Sequence, residues 1–318
     1  MKGKIMTVNG AISPEALGFC QCHEHLMLKK GISFLQNPDL CIDDLEKSRQ
    51  EVSRYAEAGG RSLIDAQPGG CCRMEKQLSF LASVTGVNIL ASTGFHKLCF
   101  YPADHWIHNF TEAQMYEFIL HELTKGMFYD IDDRLPVKYS SRLAGIIKCA
   151  YDKDGLSPRY LRLFSAAARA SVDTGIPLMI HIEPGTSPGN LLRFLFQKGI
   201  NPRKLLLCHL DRSLLPVDTY IRLLKTGIYL EFDTIGRFRY HDDASEAACI
   251  CSLVQQGFGS QLLLSLDTTR ARLKSYTSDA IGLDYLLTSF LPLLRSYGLS
   301  EEQINQMTVS NCKAVFTA

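Results

Sequence analysis

The chain has 318 residues, 46% of them hydrophobic and 21% charged, and its 34 basic and 33 acidic residues leave a net charge of +1. The charges are mixed along the chain, so there is no electrostatic case for a nucleic-acid partner or an anionic membrane surface, and a small-molecule substrate is expected instead. No apolar run approaches the roughly 18–20 residues that span a bilayer. The opening MKGKIMTVNGAISPEAL has no hydrophobic signal region.

Eight short apolar runs recur along the chain. They are Leu17–Leu28, Ser62–Gln67, Asn88–Phe95, Leu143–Ala150, Pro177–Glu183, Lys204–Asp211, Gly227–Ile235 and Gln261–Thr268. Their nearly continuous hydrophobicity suits strands buried on both faces of a parallel sheet. Helix signals fall between them. Asp43-Asp44 opens a charged stretch that stops at Gly59-Gly60, and Ser157-Pro158 opens one that runs to Gly175. Ser187-Pro188 repeats that device, with an end near Gly199. The segment Lys97 to Arg142 is read as one helix, about Glu112–Lys125, between aromatic-rich loops, and Ser300-Glu-Glu-Gln303 reads as a capping box. The alternation predicts a single-domain (β/α)₈ TIM barrel over residues 1–318.

The eleven cysteines are odd in number, and Cys20, Cys22, Cys149 and Cys208 lie inside apolar runs. That pattern predicts free thiols used as small hydrophobes in a reducing cytoplasm.

In such a barrel the C-terminal strand ends carry the chemistry. The first ends His23-Glu24-His25, the fourth carries Lys148, the fifth His181, the sixth His209 and the eighth Asp267. Strand alternation predicts His23 and His25 on one side and Cys20, Cys22 and Glu24 on the other. An isolated His-x-His is as readily a pair of satisfied polar histidines as a chelate. Further potential ligands at corresponding places on other strands favour metal binding by neutral imidazoles. Lys148 interrupts the apolar Gly145-Ile-Ile-Lys-Cys-Ala150. A salt bridge or a snorkelling stem is the plain reading. Burial beside cations would instead favour the neutral amine, which can add carbon dioxide to give an anionic, bidentate carbamate able to bridge two metals. Asp267 offers a final ligand and a proton acceptor. Asp65, Asp211 and Asp233 are candidates for orienting the ligands, and His96, His105, His108 and Trp106 for lining the mouth above the third strand.

The combination of His23-Glu-His25, Gly145-Ile-Ile-Lys148, His181, Cys208-His209, Asp267 and Asn311-x-x-x-x-Phe316 resembles the phosphotriesterase-like family of the amidohydrolase superfamily, over essentially the whole chain. The resemblance implies a hydrolase with two divalent metal ions, Zn²⁺ first and Mn²⁺ or Co²⁺ as alternatives. His23, His25 and Asp267 would hold the more buried ion and His181 and His209 the more exposed one. Carboxylated Lys148 and a hydroxide would bridge them, and a dimer is a family-level expectation.

Arg237 and Arg239 follow the seventh strand, and Arg270, Arg272, Lys274 and Tyr276 follow the eighth, where TIM barrels commonly bind phosphate. Taken singly, these are more simply solvated cations. Glu231-Phe-Asp-Thr-Ile-Gly-Arg237 and Leu266-Asp-Thr-Thr-Arg270 look similar to a subgroup that opens phosphorylated sugar lactones. This similarity implies substrate binding by Arg239, Arg270 and Tyr276, with the bridging hydroxide attacking the lactone. The competing readings are a phosphotriesterase or carboxylesterase using the same centre, and a non-catalytic metal-binding regulatory barrel.

Overall fold

The computed structural model describes residues 3–318. A short antiparallel hairpin comes first, β1 (Ile5–Thr7) and β2 (Gly10–Ile12). Eight parallel strands follow in sequential order: β3 (Cys20–Glu24), β4 (Ser62–Asp65), β5 (Asn88–Gly94), β6 (Ile146–Tyr151), β7 (Leu178–Ile182), β8 (Leu205–Cys208), β9 (Tyr229–Phe232) and β10 (Leu262–Leu264). The seam between β10 and β3 is tied by Asp267 N–H to His23 O (3.0 Å) and by Ser265 Oγ, which accepts from His23 N–H (2.8 Å). The result is the expected (β/α)₈ barrel, with the C-terminal ends of all eight strands at one mouth.

The outer layer starts with α1 (Ile32–Gln36), α2 (Leu45–Glu57), α3 (Glu75–Thr85) and α4 (Glu112–Thr124), followed by α5 (Pro158–Thr174), α6 (Gly189–Gln197), α7 (Val217–Leu224) and α8 (Asp243–Gln255). Their ends follow local chemistry. Asp44 caps α2 by accepting from Lys47 N–H, Thr111 and Gln114 make a capping box on α4, and Gly175 ends α5 at φ +73°. α6 starts at Gly189 with Pro188, not Ser187, in the cap position, so the hydroxyl expected there makes no cap bond. Ser300 and Gln303 form the capping box read from the sequence.

Two buried layers position the mouth. Between sheet and helices lies the main apolar core. Inside the barrel, Cys20, Cys22, Ile64, Leu90, Ile146, Met179, Leu206, Cys208 and Leu263 fill the floor, which Cys312, Val315 and Phe316 plug from below. Asn311 anchors that plug by donating to Gly259 O (2.8 Å) and Leu262 O (2.7 Å), which gives the terminal Asn311–Phe316 pattern its physical role. All eleven cysteines are free thiols. Among the described residues no helix is long and apolar enough to cross a membrane.

One expectation needs correction. Cys20 and Cys22 face the barrel interior, yet so does His23, whose ring lies 4.8 Å from that of His209. Strict alternation forbids this. The register against β4 shifts between Gln21 and Glu24, and the extra residue turns His23 inward directly after Cys22. Glu24 and Gln21 then share the outer face and hydrogen-bond at 2.8 Å.

Candidate metal centre

The six residues singled out in the sequence converge on the floor of the mouth. Lys148 Nζ on β6 lies 3.1 Å from His23 Nε2. Asp267 Oδ1 lies 3.8 Å from His23 Nε2 and 3.5 Å from His25 Nε2. The His209 ring sits 4.8 Å from His23 and 4.5 Å from His181, centroid to centroid. His23, His209 and Asp267 each offer a ligand atom within 4.8 Å of the others.

Two of these side chains reach the floor through unusual backbone. His209 follows β8 at φ +67° and Asp267 follows β10 at φ +48°, the left-handed region that non-glycine residues rarely occupy. At His209 this turn brings the ring inward immediately after the inward-facing Cys208. Such strain persists only where surrounding bonds over-determine it. Here Asp233 clamps His209 twice, accepting from its backbone N–H (2.9 Å) and meeting Nδ1 at 2.7 Å. Asp211 in turn accepts from the backbone N–H groups of Asp233 (2.6 Å) and Thr234 (2.7 Å).

A ring of carboxyl groups engages one nitrogen of each of three imidazoles. Glu231 takes His23 Nδ1 (2.8 Å), Asp233 takes His209 Nδ1, and Glu183 takes His181 Nε2 (2.9 Å). His23 Nε2, His209 Nε2 and His181 Nδ1 are left for other work. Burial, reinforced by the Lys148 charge, holds His23 well below the usual histidine range, and burial with Arg212 does the same for His209. His181 falls to about 4 through burial, against the pull of Glu183. The imidazoles are therefore neutral, as ligation requires. Burial would raise Asp267, but the Arg237 guanidinium overcomes it and keeps the carboxylate ionised. Arg237 Nη1 lies 3.1 Å and Arg212 Nη2 3.2 Å from Asp267 Oδ2.

Lys148 is fully buried, and no carboxylate oxygen of the described residues lies within 4 Å of its amine. Its other neighbours are Met179 Sδ (3.4 Å) and Cys208 Sγ (4.0 Å). A buried lysine with no carboxylate in contact is costly to keep charged. The donor set of neutral imidazoles, one carboxylate and one amine suits zinc-like divalent ions, so the residues present fit a metal centre.

Above this floor opens a cavity of about 500 Å³. Its walls carry Arg212, Arg237, Arg239 and Arg272 on one side and His96, Lys97 and Phe100 on another. Of the three residues expected to bind substrate, Arg239 lines this cavity, whereas Arg270 and Tyr276 do not. The turn Arg270–Arg272 sends Arg272 inward, to Leu266 O and Ile235 O, and Arg270 outward. Arg270 packs on the Tyr276 ring (5.1 Å) and reaches Cys41 O and Asp43, while Tyr276 Oη donates to Asp44 O at 2.8 Å. His105 and Trp106 bond to Ile131 O and do not line the cavity, and Cys71 and Cys72 are buried in packing.

Four contributors were not legible in the sequence: Arg212, Glu231, Glu183 and Glu24. Glu183 lies two residues past the ligand candidate His181 and Glu231 two before Asp233, but nothing in the pattern said which imidazole each would face. Glu24 was read only as the middle of His-x-His. It is fully buried and accepts five hydrogen bonds, from Gln21 (2.8 Å), Ser265 Oγ (2.7 Å), Leu266 N–H (3.0 Å) and Thr268 N–H and Oγ1 (3.1 and 2.7 Å). It closes the barrel seam beside Asp267.

A closed (β/α)₈ barrel with this histidine, lysine and aspartate floor defines a metal-dependent hydrolase. The model of the phosphotriesterase family matches residues 3–316, and the chain belongs to that family. A phospho-furanose lactonase of Mycoplasmopsis agalactiae is 30% identical over 322 residues, 98% of this chain and 90% of that protein. The crystal structure of an amidohydrolase from Mycoplasma synoviae superposes with a TM-score of 0.93 at 29% identity, covering 99% of this chain and 92% of that one. A lactonase from Listeria monocytogenes gives 0.89 at 27% identity, covering 99% of both.

Proposed function

We propose that the protein hydrolyses a lactone, specifically an anionic, phosphorylated sugar lactone, at a binuclear metal centre. His23, His25 and Asp267 would hold one ion and His181 and His209 the other, with Lys148 carboxylated between them. The observation that carries this reading is the fully buried Lys148 amine, 3.1 Å from His23 Nε2 and without a carboxylate partner. A carbamate there would replace the buried amine with an anionic ligand for the ions. Zinc suits the donors best, with manganese and cobalt as alternatives.

When bound, two such cations lower the pKa of water toward neutrality and polarise a carbonyl oxygen. The chain supplies the rest. Asp267, kept ionised by Arg237 and Arg212, accepts the proton of the attacking water. It returns that proton to the ring oxygen as the acyl C–O bond breaks, giving a hydroxy acid. Asp233, Glu231 and Glu183 hold the imidazoles in one tautomer each. Arg239 and the exposed edge of Arg212 present guanidinium donors to an anionic group. Arg270 and Tyr276 brace the segment Asp39–Asp44 at the cavity edge, Arg270 N–H donating to Asp39 O at 3.0 Å. The lactonase names of the relatives support the substrate class. A neutral phosphotriester has no use for this many cations on one wall.

Metal analysis and a lactone panel test the reading. Two ions per chain and a preference for phosphorylated over unphosphorylated lactones are expected. Full activity in a Lys148→Ala protein, or equal turnover of both lactone types, would overturn it. Full metal occupancy with no ester or lactone turned over would point to a regulatory barrel.

A further inference from the structure

His96 is a mouth residue that neither the metal ligands nor the arginine wall accounts for. It lies two residues past β5, is buried, and lines the cavity. Its ring is held between Phe100, 4.7 Å away, and His181, 5.3 Å away, centroid to centroid. Its backbone N–H donates to Tyr101 Oη at 2.8 Å, and Nδ1 accepts from Lys97 N–H at 2.7 Å. A nitrogen that accepts a backbone N–H must carry its lone pair, so the ring proton sits on Nε2. That Nε2–H has no protein partner among the described residues and is not sealed from the cavity. One donor, with position and tautomer both fixed, is left pointing at the substrate space.

The topology says what kind of group meets it. In the strand order of the barrel β5 and β9 are four places apart, so they face each other across the mouth. Arg237 and Arg239 follow β9, and Arg212 follows the adjacent β8. The anion-binding wall is thus opposite His96. On the His96 side the one nearby cation among the described residues, Lys97, is already paired with Glu183 at 3.0 Å. This wall therefore carries no free charge. It offers a neutral N–H donor beside an aromatic face.

We propose that His96 is a substrate-binding residue whose Nε2–H donates to a ring hydroxyl at the uncharged end of the substrate, opposite the arginines. The proposal rests on the anionic sugar-lactone reading and adds a specificity it does not contain. A site with one preorganised, otherwise unpaired donor rejects an analogue lacking the acceptor, because the donor is then left unsatisfied.

The test uses the metal-loaded enzyme and phosphorylated five-carbon lactones from which each ring hydroxyl is removed in turn. Wild type should lose about tenfold or more in kcat/KM against at least one deoxy lactone. His96→Phe should abolish that discrimination at unchanged metal content, and His96→Gln, which keeps a terminal N–H donor, should restore it. Discrimination by His96→Phe equal to wild type, no discrimination by wild type, or recovery of His96→Phe merely by adding metal would each overturn the proposal. Nitrogen-15 histidine NMR reads the tautomer without turnover. A proton on Nε2 is expected, and one on Nδ1 would refute the assignment even if no lactone proved to be a substrate.

Discussion

Replacing Glu24 by alanine tests whether the barrel seam is what places Asp267. The carboxylate accepts two backbone N–H groups (Leu266 and Thr268), two hydroxyls and the Gln21 amide, all in a fully buried setting. The hydroxyls can rotate toward other acceptors: Ser265 Oγ lies 2.9 Å from His23 O, and Thr268 Oγ1 3.5 Å from His25 O. The two backbone donors cannot, and each buried unsatisfied donor costs about 1–3 kcal/mol. A loss of roughly 4 kcal/mol follows, a large part of a typical 5–15 kcal/mol stability. Glu24→Gln keeps the shape and one acceptor oxygen and should lose about half as much. Urea unfolding of the metal-free proteins gives the energies, and metal titration shows whether affinity falls with the seam. A Glu24→Ala protein within 1 kcal/mol of wild type would refute the reasoning.

Asp233→Asn should weaken binding of one metal equivalent about 10–100-fold, since His209 loses the carboxylate that orients it; competition with a chelator measures this. Arg239→Ala should raise KM for a phosphorylated lactone roughly tenfold and leave an unphosphorylated one unchanged, which steady-state kinetics on the pair decides. His105 is held at about 4, below the ordinary 6.5, by burial. The unfolded chain therefore binds the extra proton first, and stability is lost as pH falls from about 6.5 toward 4. The effect is roughly 2 kcal/mol after solvent screening. Urea midpoints at pH 7 and 4.5 should show the stability advantage of wild type over His105→Asn narrowing by that amount, and a constant gap would contradict it.

The eight barrel strands were legible because parallel strands buried on both faces leave continuous apolar runs. Each observed strand lies within its run, apart from the one-residue extension of β6 to Tyr151. The hairpin β1–β2 was not legible, since three-residue strands with an exposed partner have no periodicity to read. The ligand set was visible as types at strand ends, but not how it is delivered. A bulge at Gln21–Glu24 and left-handed backbone at His209 and Asp267 break the alternation from which facing is inferred. The arginines show the same limit. Spacing beyond β10 cannot say that a tight turn sends Arg272 in and Arg270 out, and Arg212, two residues past His209-Leu, gave no sign that it would reach Asp267.

The central claim is that Lys148 turns a histidine-lined barrel into a two-metal site. The direct measurement is a crystal structure of the metal-loaded protein with anomalous scattering collected at the metal edge. The account predicts two peaks on the barrel floor, one by His23, His25 and Asp267 and one by His181 and His209, with planar carbamate density on Lys148 joining them. A single peak beside an unmodified Lys148 amine would contradict it.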